Sequence, residues 1–374
     1  MNAYVIEAVA FCALGNNEDE ILANLQNPPK LDTLSFPFGS EVKNRPFGKM
    51  KIKNLDSSES LDDILNNLLK ELINKSNLTS QELDECALLI GSTSANIASS
   101  EQQLKHGIDD NLPLFGYGYI AEKLAQKFGI NLEVIFFTSA CTSSANALLY
   151  AQRGINRGDF KRAIVIGFEF RNEFSLSGFE ALGLLSATEC RPFDKLRDGL
   201  VLGEGCSAVL LEDKPRDNSR FLCLCGGENR CDISSPTSHA LNGVMVAKTI
   251  KDALSDANIT AEEISIIKSH GTGSLSSDEA EENGLTQVFT SMPYTIALKP
   301  FLGHTLGACG VIELSLLWFS LQNGFLPKNI ELKQSNKSMS KLDILDNDNV
   351  YIVLNHFGFG GNGTVLILNY RVKE

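Results

Sequence analysis

The chain has 374 residues, of which 43% are hydrophobic and 21% charged, with 30 glycines and 11 prolines. This composition offers enough apolar surface to offset the entropy of ordering, which excludes a collagen-like or disordered chain. Lys plus Arg number 33 against 46 Asp plus Glu, so the net charge is −13. An acidic chain lacks the basic face that nucleic-acid binding requires. The length predicts two domains or one large α/β unit.

The N-terminus and the cysteines both predict a cytoplasmic protein. The first residues, MNAYVIEAVAFCALG, lack a basic leader and carry Glu7, which favours a first strand over a signal peptide. No apolar run reaches the length of a membrane span. The nine cysteines are odd in number and scattered, which is typical of free thiols. Cys223, Cys225 and Cys231 precede His239 without a CxxC pair, so we expect buried thiols on a strand rather than a zinc site.

The predicted elements alternate between strands and helices. Apolar runs predict strands at 87–90, 134–138, 163–167, 264–268, 350–354 and 365–368. Helical patterns fall at 118–128, 142–157, 241–257 and 308–322. The charged stretch 212–220 is the best candidate for a boundary, or seam, between two halves with similar patterns of strands and helices. We therefore expect a layered α/β architecture with two halves, 1–213 and 214–374.

The first chemical motif is TSACTSSANAL, residues 138–148, which places Cys141 between a strand end and a helix start. The partial positive charge of a helix N-terminus favours a thiolate, so we expect that form here. Small neighbours leave room for a bulky acyl group beside the sulfur. Taken alone, the motif fits a buried structural cysteine equally well.

Two histidines lie in glycine-rich turns of the second half. His270 opens HGTGSLSSDEAE, in which Asp278 and Glu281 begin the next helix, where carboxylates suit the helix dipole. The segment KPFLGHTLGACG, residues 299–310, contains His304 and leads into a small-residue helix start. Considered one at a time, the histidine also fits a structural residue of a turn, and the two acids fit caps of a helix.

Three further features complete the pattern. Lys299 lies five residues before His304, and Glu313 nine residues after it, which also fits an ion pair at a helix end. The segment RPFDKLRDGLVLGEG, residues 191–205, predicts a structural loop. The segment NHFGFGGNGT places glycines around Phe359, and these permit positive φ and a mobile backbone whose N–H groups can serve a ligand.

Together these motifs resemble the β-ketoacyl-[acyl carrier protein] synthases of the thiolase superfamily. In that family the second motif reads close to HGTGT…D..E and the third close to K...GH..GA.G..E, and both spacings occur here. The resemblance spans nearly the whole chain, from VIEAVAFCALG to FGFGG. It implies a thiolase-like layered αβαβα fold of two pseudo-repeated halves, the first with the nucleophile and the second with both histidines and the GFGG loop. No Walker or dinucleotide fingerprint competes with it.

The resemblance implies a condensing enzyme and a role for each residue. Cys141 would take an acyl group from a thioester, and the backbone N–H groups of Cys141 and Phe359 would form an oxyanion hole. His270 and His304 would bind the thioester carbonyl of a malonyl group. Its decarboxylation would give the carbanion that attacks the acyl carbonyl. No metal or redox cofactor is implied, because release of CO₂ drives the step.

The remaining motif residues would support this chemistry. By similarity, Lys299 lies behind the two histidines and keeps them neutral, with Glu313 as its buried partner. Asp278 and Glu281 are expected to support the site rather than to react. Phe359 resembles the family's gate, a ring that swings aside after acylation.

The chain departs from the family pattern in four places. Ser274 stands where the motif usually has Thr, and Gly363 stands where relatives often have Asn, which we expect to loosen the closing loop. The strand before Cys141 lacks a Gly-Pro lead-in. The connections around 178–190 are compact, which predicts a smaller acyl pocket or dimer surface. These departures concern the substrate rather than the chemistry.

The expected partner is an acyl carrier protein, and the expected assembly is a homodimer or a heterodimer with a related subunit. Carrier proteins are acidic, so an acidic enzyme needs a local basic patch to bind one. The segment KNRPFGKMKIK falls where the family carries a docking segment and contains no acid. Its basic residues are Lys43, Arg45, Lys49, Lys51 and Lys53. A solvated charged face is the alternative interpretation.

Three other functions share some of these features. A chain-length-factor-like subunit shares the fold but typically lacks the nucleophilic cysteine. The alternative that this chain is the active half of a synthase/chain-length-factor pair stays open. A degradative thiolase would use a second cysteine, for which Cys309 is the candidate, yet the HGTG motif fits condensation better. A synthase that starts chains uses Cys, His and Asn, against which His304 argues. Fatty-acid elongation and a specialised, aryl-polyene-like polyketide pathway both remain possible, and the departures favour the specialised role.

Overall fold

The computed structural model describes residues 2–51, 61–105, 117–217, 220–235, 239–328 and 349–372. Within these ranges the strands are β1 (Ala3–Phe11), β2 (Asp32–Phe38), β3 (Glu41–Gly48), β4 (Cys86–Gly91), β5 (Glu133–Phe137), β6 (Arg162–Glu169), β7 (Leu202–Gly203), β8 (Gly205–Glu212), β9 (Arg220–Cys231), β10 (Ile264–Lys268), β11 (Tyr294–Ile296), β12 (Asn349–Phe357) and β13 (Asn362–Val372). The helices are α1 (Glu18–Gln26), α2 (Leu61–Ser76), α3 (Ser80–Asp84), α4 (Ile97–Lys105), α5 (Tyr117–Phe128), α6 (Ser143–Arg157), α7 (Glu173–Ala181), α8 (Val244–Asp256), α9 (Leu275–Thr286), α10 (Lys299–Leu302) and α11 (Cys309–Gln322).

Ten strands form one mixed sheet in the order β11-β10-β12-β13-β9-β1-β8-β6-β4-β5. In the first half, β4 is parallel to β5 and β6, and β8 is antiparallel to β6 and β1. In the second half, β10 is parallel to β11 and β12, and β13 is antiparallel to β12 and β9. The pairing pattern is therefore the same in both halves. They join where β1 pairs with β9.

Five layers follow from which face of each strand is apolar. One face of both sheet halves packs on α6 and α11, which share a single core with β1, β4, β8, β10 and β12. Helix α11 is buried on nearly all sides, because its sequence CGVIELSLLWFSLQ is apolar around its whole circumference. The opposite face of the first half packs on α2 and α5, and that of the second half on α8 and α9. This αβαβα arrangement confirms the predicted thiolase-like fold.

Small residues bring α6 into backbone contact with its neighbours. A Cβ atom on Gly91, at the end of β4, would lie 2.4 Å from the Ser144 backbone nitrogen. A Cβ atom on Gly310, in α11, would lie 2.3 Å from the Ala145 nitrogen. Only glycine fits at either position, so the first turn of α6 is held between β4 and α11. This contact fixes the residues that precede α6.

The elements predicted from the sequence are all present, with ends that differ by a few residues. The predicted seam at 212–220 corresponds to the connection between β8 and β9, and we propose that the two halves divide there. The hairpin of β2 and β3 pairs with β7 in a separate three-stranded sheet. Among the described residues, the structure shows no helix with the length and apolar character needed to cross a bilayer.

The cysteines are all free thiols. Cys223 is buried in β9, while Cys231 at the end of that strand is exposed. Across the described ranges, no group of three or more His, Cys, Asp or Glu side chains is arranged to hold a metal ion.

Candidate active site

Cys141 lies in a tight turn between β5 and α6. The preceding residue, Ala140, has a φ of +52°, a left-handed conformation that is strained for a residue with a side chain. Backbone hydrogen bonds of 3.2 Å from Thr142 to Ser139 and 3.1 Å from Ser143 to Ala140 close the turn. The Cys141 side chain is only 6% exposed. The turn therefore presents the thiol at the start of a helix that its neighbours hold firmly.

Burial decides the protonation of this thiol. It raises the pKa of Cys141 to about 12, and the charge of Lys299 and the backbone N–H of Phe359 offset only part of that shift. The expected thiolate is wrong for this reason: desolvation disfavours the charged form more than the nearby positive charges favour it. Cys141 is therefore a thiol at neutral pH.

His270 and His304 come from different loops and meet over the same cavity. His270 directly follows β10, and His304 lies between α10 and α11, where its backbone N–H donates to Val201 O at 2.7 Å. Their ring centroids are 5.3 Å apart and the rings are nearly perpendicular, at 86°. The two glycine-rich turns thus place both imidazoles at one point, as the sequence predicted.

Two buried carboxylates hold the turn that carries His270. Glu281 accepts the backbone N–H groups of His270 at 2.7 Å and Gly271 at 2.9 Å. Asp278 accepts those of Thr272 at 2.9 Å and Phe193 at 2.7 Å. The sequence assigned both acids to the dipole of their own helix, α9, but they point back to the preceding turn. They support the site by fixing its backbone.

Burial raises the pKa of Asp278 to about 6 and also raises the pKa of Glu281. The hydrogen bonds that both carboxylates accept act in the opposite direction.

Lys299 connects His270 to a buried carboxylate. Its Nζ donates to Glu313 Oε1 at 2.8 Å and to His270 O at 2.6 Å, which confirms the predicted pairing with Glu313. The same Nζ lies 3.4 Å from His270 Nδ1. An ammonium group can only donate, so Nδ1 accepts and the ring proton is assigned to Nε2. Lys299 thereby selects the tautomer whose Nε2–H is available as a donor.

Both histidines are held neutral. Burial lowers the pKa of His270 and of His304 well below the usual range, and the charge of Lys299 lowers each further. A neutral imidazole retains one N–H donor, so each ring is able to donate one hydrogen bond.

The site opens into a cavity at the surface of the Cys141 turn. Its lining includes both histidines and the thiol together with Phe179, Leu184, Leu200, His239, Thr272, Ser274, Ser276, Ser277, Phe357, Gly358 and Phe359. The Phe359 ring packs on Phe179 at a centroid distance of 5.4 Å, while its backbone N–H points to the Cys141 sulfur. The predicted gate residue and the predicted nucleophile therefore contact each other.

The closing loop is tied to the nucleophile turn by an asparagine. Asn362 Oδ1 accepts from Thr142 Oγ1 at 2.5 Å, from Asn146 Nδ2 at 3.0 Å and from Asn229 Nδ2 at 3.0 Å. Gly363 follows within β13, where a Cβ atom would lie 3.0 Å from the Phe357 ring. The neighbouring Asn362 supplies an anchoring amide to the same loop, and the loosening expected at Gly363 stays a prediction.

Four residues near the site were not assigned to it from the sequence. His239 lines the cavity, with its ring 5.1 Å from that of Phe357. Lys268, Cys309 and His356 are fully buried. The sequence does contain a signal for two of them: Lys268 lies inside the apolar strand ISIIK, and His356 lies next to the glycine loop. A buried ionisable group needs a partner, so both residues indicate a polar cluster inside the fold.

The basic segment predicted to dock a carrier protein is largely paired with acids. Lys43 lies 2.5 Å from Glu41, and Lys51 lies 3.3 Å from Asp32. Lys49 is half-buried beside the buried carboxyl of Glu204. Lys53 lies outside the described residues.

Arg45 makes two hydrogen bonds to Glu180 on α7, at 2.9 and 2.6 Å. Because these basic residues lie beside acids, the surface around the segment carries less net positive charge than the sequence of the segment alone indicates. Docking there remains a prediction.

Comparisons with known proteins agree with the fold and the motifs. Family models described as "Beta-ketoacyl synthase, N-terminal domain" and "Beta-ketoacyl synthase, C-terminal domain" match residues 44–216 and 224–333, together well over half of the chain. The chain is 31% identical over 247 residues to the chloroplastic 3-oxoacyl-[acyl-carrier-protein] synthase I of Arabidopsis thaliana, covering 61% of this chain and 52% of that protein. It is 30% identical over 273 residues to 3-oxoacyl-[acyl-carrier-protein] synthase 2 of Vibrio harveyi, covering 66% and 64%. The matched region thus spans between half and two thirds of these relatives.

Solved structures resemble the chain over its full length. The ketosynthase ApeO in complex with its chain length factor ApeC from Xenorhabdus doucetiae superposes with a TM-score of 0.82 at 25% identity, covering 99% of this chain and 98% of that one. The ishigamide ketosynthase/chain length factor gives a TM-score of 0.81 at 24% identity, covering 100% and 99%, and shows the same fold. Taken with the two family models, this evidence shows that the chain belongs to the β-ketoacyl synthase family.

Proposed function

We propose that the protein is a β-ketoacyl-[acyl carrier protein] synthase that condenses malonyl-carrier thioesters with an acyl group held on Cys141. The observation that supports this most directly is a single cavity that contains the thiol, two neutral histidines and the Phe359 backbone N–H. No metal or redox group is required by this chemistry.

The first step is acyl transfer to the enzyme. The Cys141 sulfur attacks the thioester carbonyl of the acyl-carrier, and the backbone N–H groups of Cys141 and Phe359 stabilise the resulting oxyanion. A carbon–sulfur bond forms to Cys141 and the bond to the carrier sulfur breaks. The proton leaves Cys141 and ends on the carrier thiol. Because Cys141 is a thiol, attack requires loss of that proton, and the charge of Lys299 and the backbone N–H of Phe359 favour the thiolate that forms.

The second step is decarboxylative condensation. His270 and His304 donate hydrogen bonds to the thioester carbonyl of malonyl-carrier, the bond to the carboxylate breaks, and CO₂ leaves. The enolate carbon attacks the acyl carbonyl on Cys141, and the sulfur is released and reprotonated. The product is a β-ketoacyl-carrier longer by two carbons. Both donors must be neutral so that a carboxylate-bearing substrate is polarised without a proton being transferred to its carbonyl.

Intact-mass spectrometry tests this function. Wild type mixed with a panel of acyl-carrier thioesters is expected to gain one acyl group and, after malonyl-carrier is added, to release the β-ketoacyl product. Cys141→Ala should gain no acyl group, while the exposed-thiol variant Cys231→Ala should behave as wild type. If no donor acylates the protein, alone or with partner subunits, the function is instead that of a pocket-shaping subunit.

We propose that the protein works in the cytoplasm as a dimer, with a second copy or a related subunit. The free thiols support a reducing compartment. Similarity to a ketosynthase whose structure was solved with its chain length factor supports a heterodimer and a type II polyketide pathway. The sequence relatives, however, include 3-oxoacyl-[acyl-carrier-protein] synthase I and 3-oxoacyl-[acyl-carrier-protein] synthase 2. Fatty-acid elongation is therefore the second candidate pathway.

We propose that an acyl carrier protein docks on the basic segment. Reversing Lys49 and Lys51 to Glu should raise the apparent KM for carrier-bound substrate several-fold, because the carrier is acidic. Lys251→Glu, on the exposed side of α8, is the matched charge reversal and should leave KM unchanged. An unchanged KM in the double reversal would remove the docking assignment.

A further inference from the structure

Lys268 is a completely buried lysine in β10, two residues before His270. Its Nζ donates to Glu313 Oε2 and to Asn355 O, the latter at 2.7 Å, and lies 3.4 Å from His356 Nε2. Three acceptors match the three N–H donors of an ammonium group. The surroundings therefore suit a charged lysine even though burial lowers its pKa.

Glu313 is shared between two lysines. Its Oε2 accepts from Lys268, and its Oε1 accepts from Lys299 at 2.8 Å. Lys299 in turn donates to His270 O and contacts His270 Nδ1. By holding Oε2 of Glu313, Lys268 fixes the orientation of Oε1. Oε1 in turn holds Lys299, the lysine that selects the His270 tautomer.

A second line of contacts leads from Lys268 to the nucleophile turn. If His356 Nε2 accepts from Lys268, its proton is on Nδ1, which lies 3.5 Å from Cys309 Sγ. Cys309 Sγ donates to the Cys141 backbone carbonyl at 3.0 Å. This line ends on the backbone carbonyl of Cys141, not on its thiol, whereas the line through Glu313 and Lys299 ends on the His270 ring.

We propose that Lys268 is a positioning residue for condensation, which fixes Glu313 so that Lys299 holds His270 as a neutral Nε2–H donor. This inference rests on the proposed function and adds to it a residue outside the matched motifs. Lys268 does not touch the cavity, so it acts through Glu313 and Lys299.

The charge of the cluster supports the same role. The ionisable groups around Lys268 and His270 are Glu313, Cys309, Lys299, His304, His356 and Glu281. The charges of Lys268 and Lys299 both lower the pKa of His270 and of His304. Lys268 therefore helps to disfavour imidazolium at the place where the proposed enolate forms.

Lys268→Met tests this inference. It removes the charge but leaves Glu313 paired with Lys299, so we expect folded protein. Condensation should fall at least tenfold while acylation of Cys141 stays within about twofold of wild type. Loss of a neighbouring cation raises the pKa of His270, so the acid limb of the condensation rate should move to higher pH. Ser315→Ala, buried in α11 two residues after Glu313 but bonded to Ser207, is the control and should show neither change.

Histidine-selective ¹⁵N NMR separates this inference from the proposed function, since it needs no turnover. The His270 ring should titrate at higher pH in Lys268→Met than in wild type. If wild type forms no product but this shift is present, the function fails and the positioning role stands. An unchanged His270 titration with an unchanged ratio of condensation to acylation would overturn it. So would failure of both Lys268→Met and Lys268→Gln to fold, because Lys268 would then serve folding alone.

Discussion

The thiol and the two imidazoles of the site respond to burial in opposite directions but reach the same charge state. Desolvation raises the pKa of Cys141 and lowers the pKa of His270 and His304, so all three are neutral at physiological pH. The charge of Lys299 strengthens this for the histidines, and in the proposed reaction it favours the thiolate that forms on Cys141. In that reaction, charge is created only as the steps proceed, next to donors that are already in place.

His304→Ala should separate the two steps of the reaction. Loss of one of two donors to the enolate oxygen is expected to lower malonyl-carrier decarboxylation about 10²-fold or more. Acylation of Cys141 should persist, because its oxyanion donors are backbone N–H groups. Measuring malonyl-carrier loss and acyl-enzyme mass in the same samples checks both. Equal losses in the two steps would contradict the assigned role of His304.

At the scale of elements, the site depends on how closely α6, α11 and β4 approach one another. Cys141 precedes α6, while Cys309 and Glu313 belong to α11. Glycines at the contact let these backbones touch, so the packing of α6 on α11 helps to set the distance between Cys141 and Glu313.

Gly310→Ala should therefore destabilise the protein by about 1–3 kcal/mol or more, since the added Cβ would overlap the α6 backbone. Gly178→Ala is the matched helical control: it has no neighbour within 4 Å and is expected to be neutral or slightly stabilising. Urea unfolding of both variants measures the difference. Equal free energies of unfolding would show that α11 can move away from α6 without cost.

Element prediction succeeded where periodicity and burial agree. The apolar runs of β4, β6 and β10 are buried strands, and the Ala/Leu-rich segment after Cys141 is α6, as predicted. Periodicity did not show where acids at a helix start direct their oxygens. Asp278 and Glu281 suit the dipole of α9 in sequence, yet the tertiary fold brings unpaired N–H groups of the preceding turn within reach.

At the scale of the whole molecule, buried thiols should make the fold sensitive to alkali. Burial raises the pKa of six of the nine cysteines, to about 11 for Cys12 and about 12 for Cys86. Below about pH 8.5 thiols are protonated in both folded and unfolded chains, so this contribution to stability is fully present. Above it the unfolded chain loses protons first, and stability falls until the pH reaches the folded pKa.

Each such buried thiol should lower the free energy of unfolding by about 2 kcal/mol at pH 10. Urea unfolding under reducing conditions at pH 8, 9 and 10 should show a steep loss, and Cys206→Ala should reduce its slope because one buried thiol is removed. Cys231→Ala should keep the wild-type slope, since that side chain is exposed. A free energy of unfolding that stays constant from pH 8 to 10 would contradict the prediction.

The sequence by itself determined the alternation of strands and helices, the motif spacing and the family, because these depend on local patterns of apolar, small and chemical side chains. It also identified Cys141, His270, His304 and Lys299, since glycine turns and strand ends mark them along the chain. Only the tertiary structure decided the protonation of Cys141, the anchoring by Asn362 and the pairing of Lys268 with Glu313. Each of these is set by burial and by contacts between residues distant in sequence, which no local pattern records.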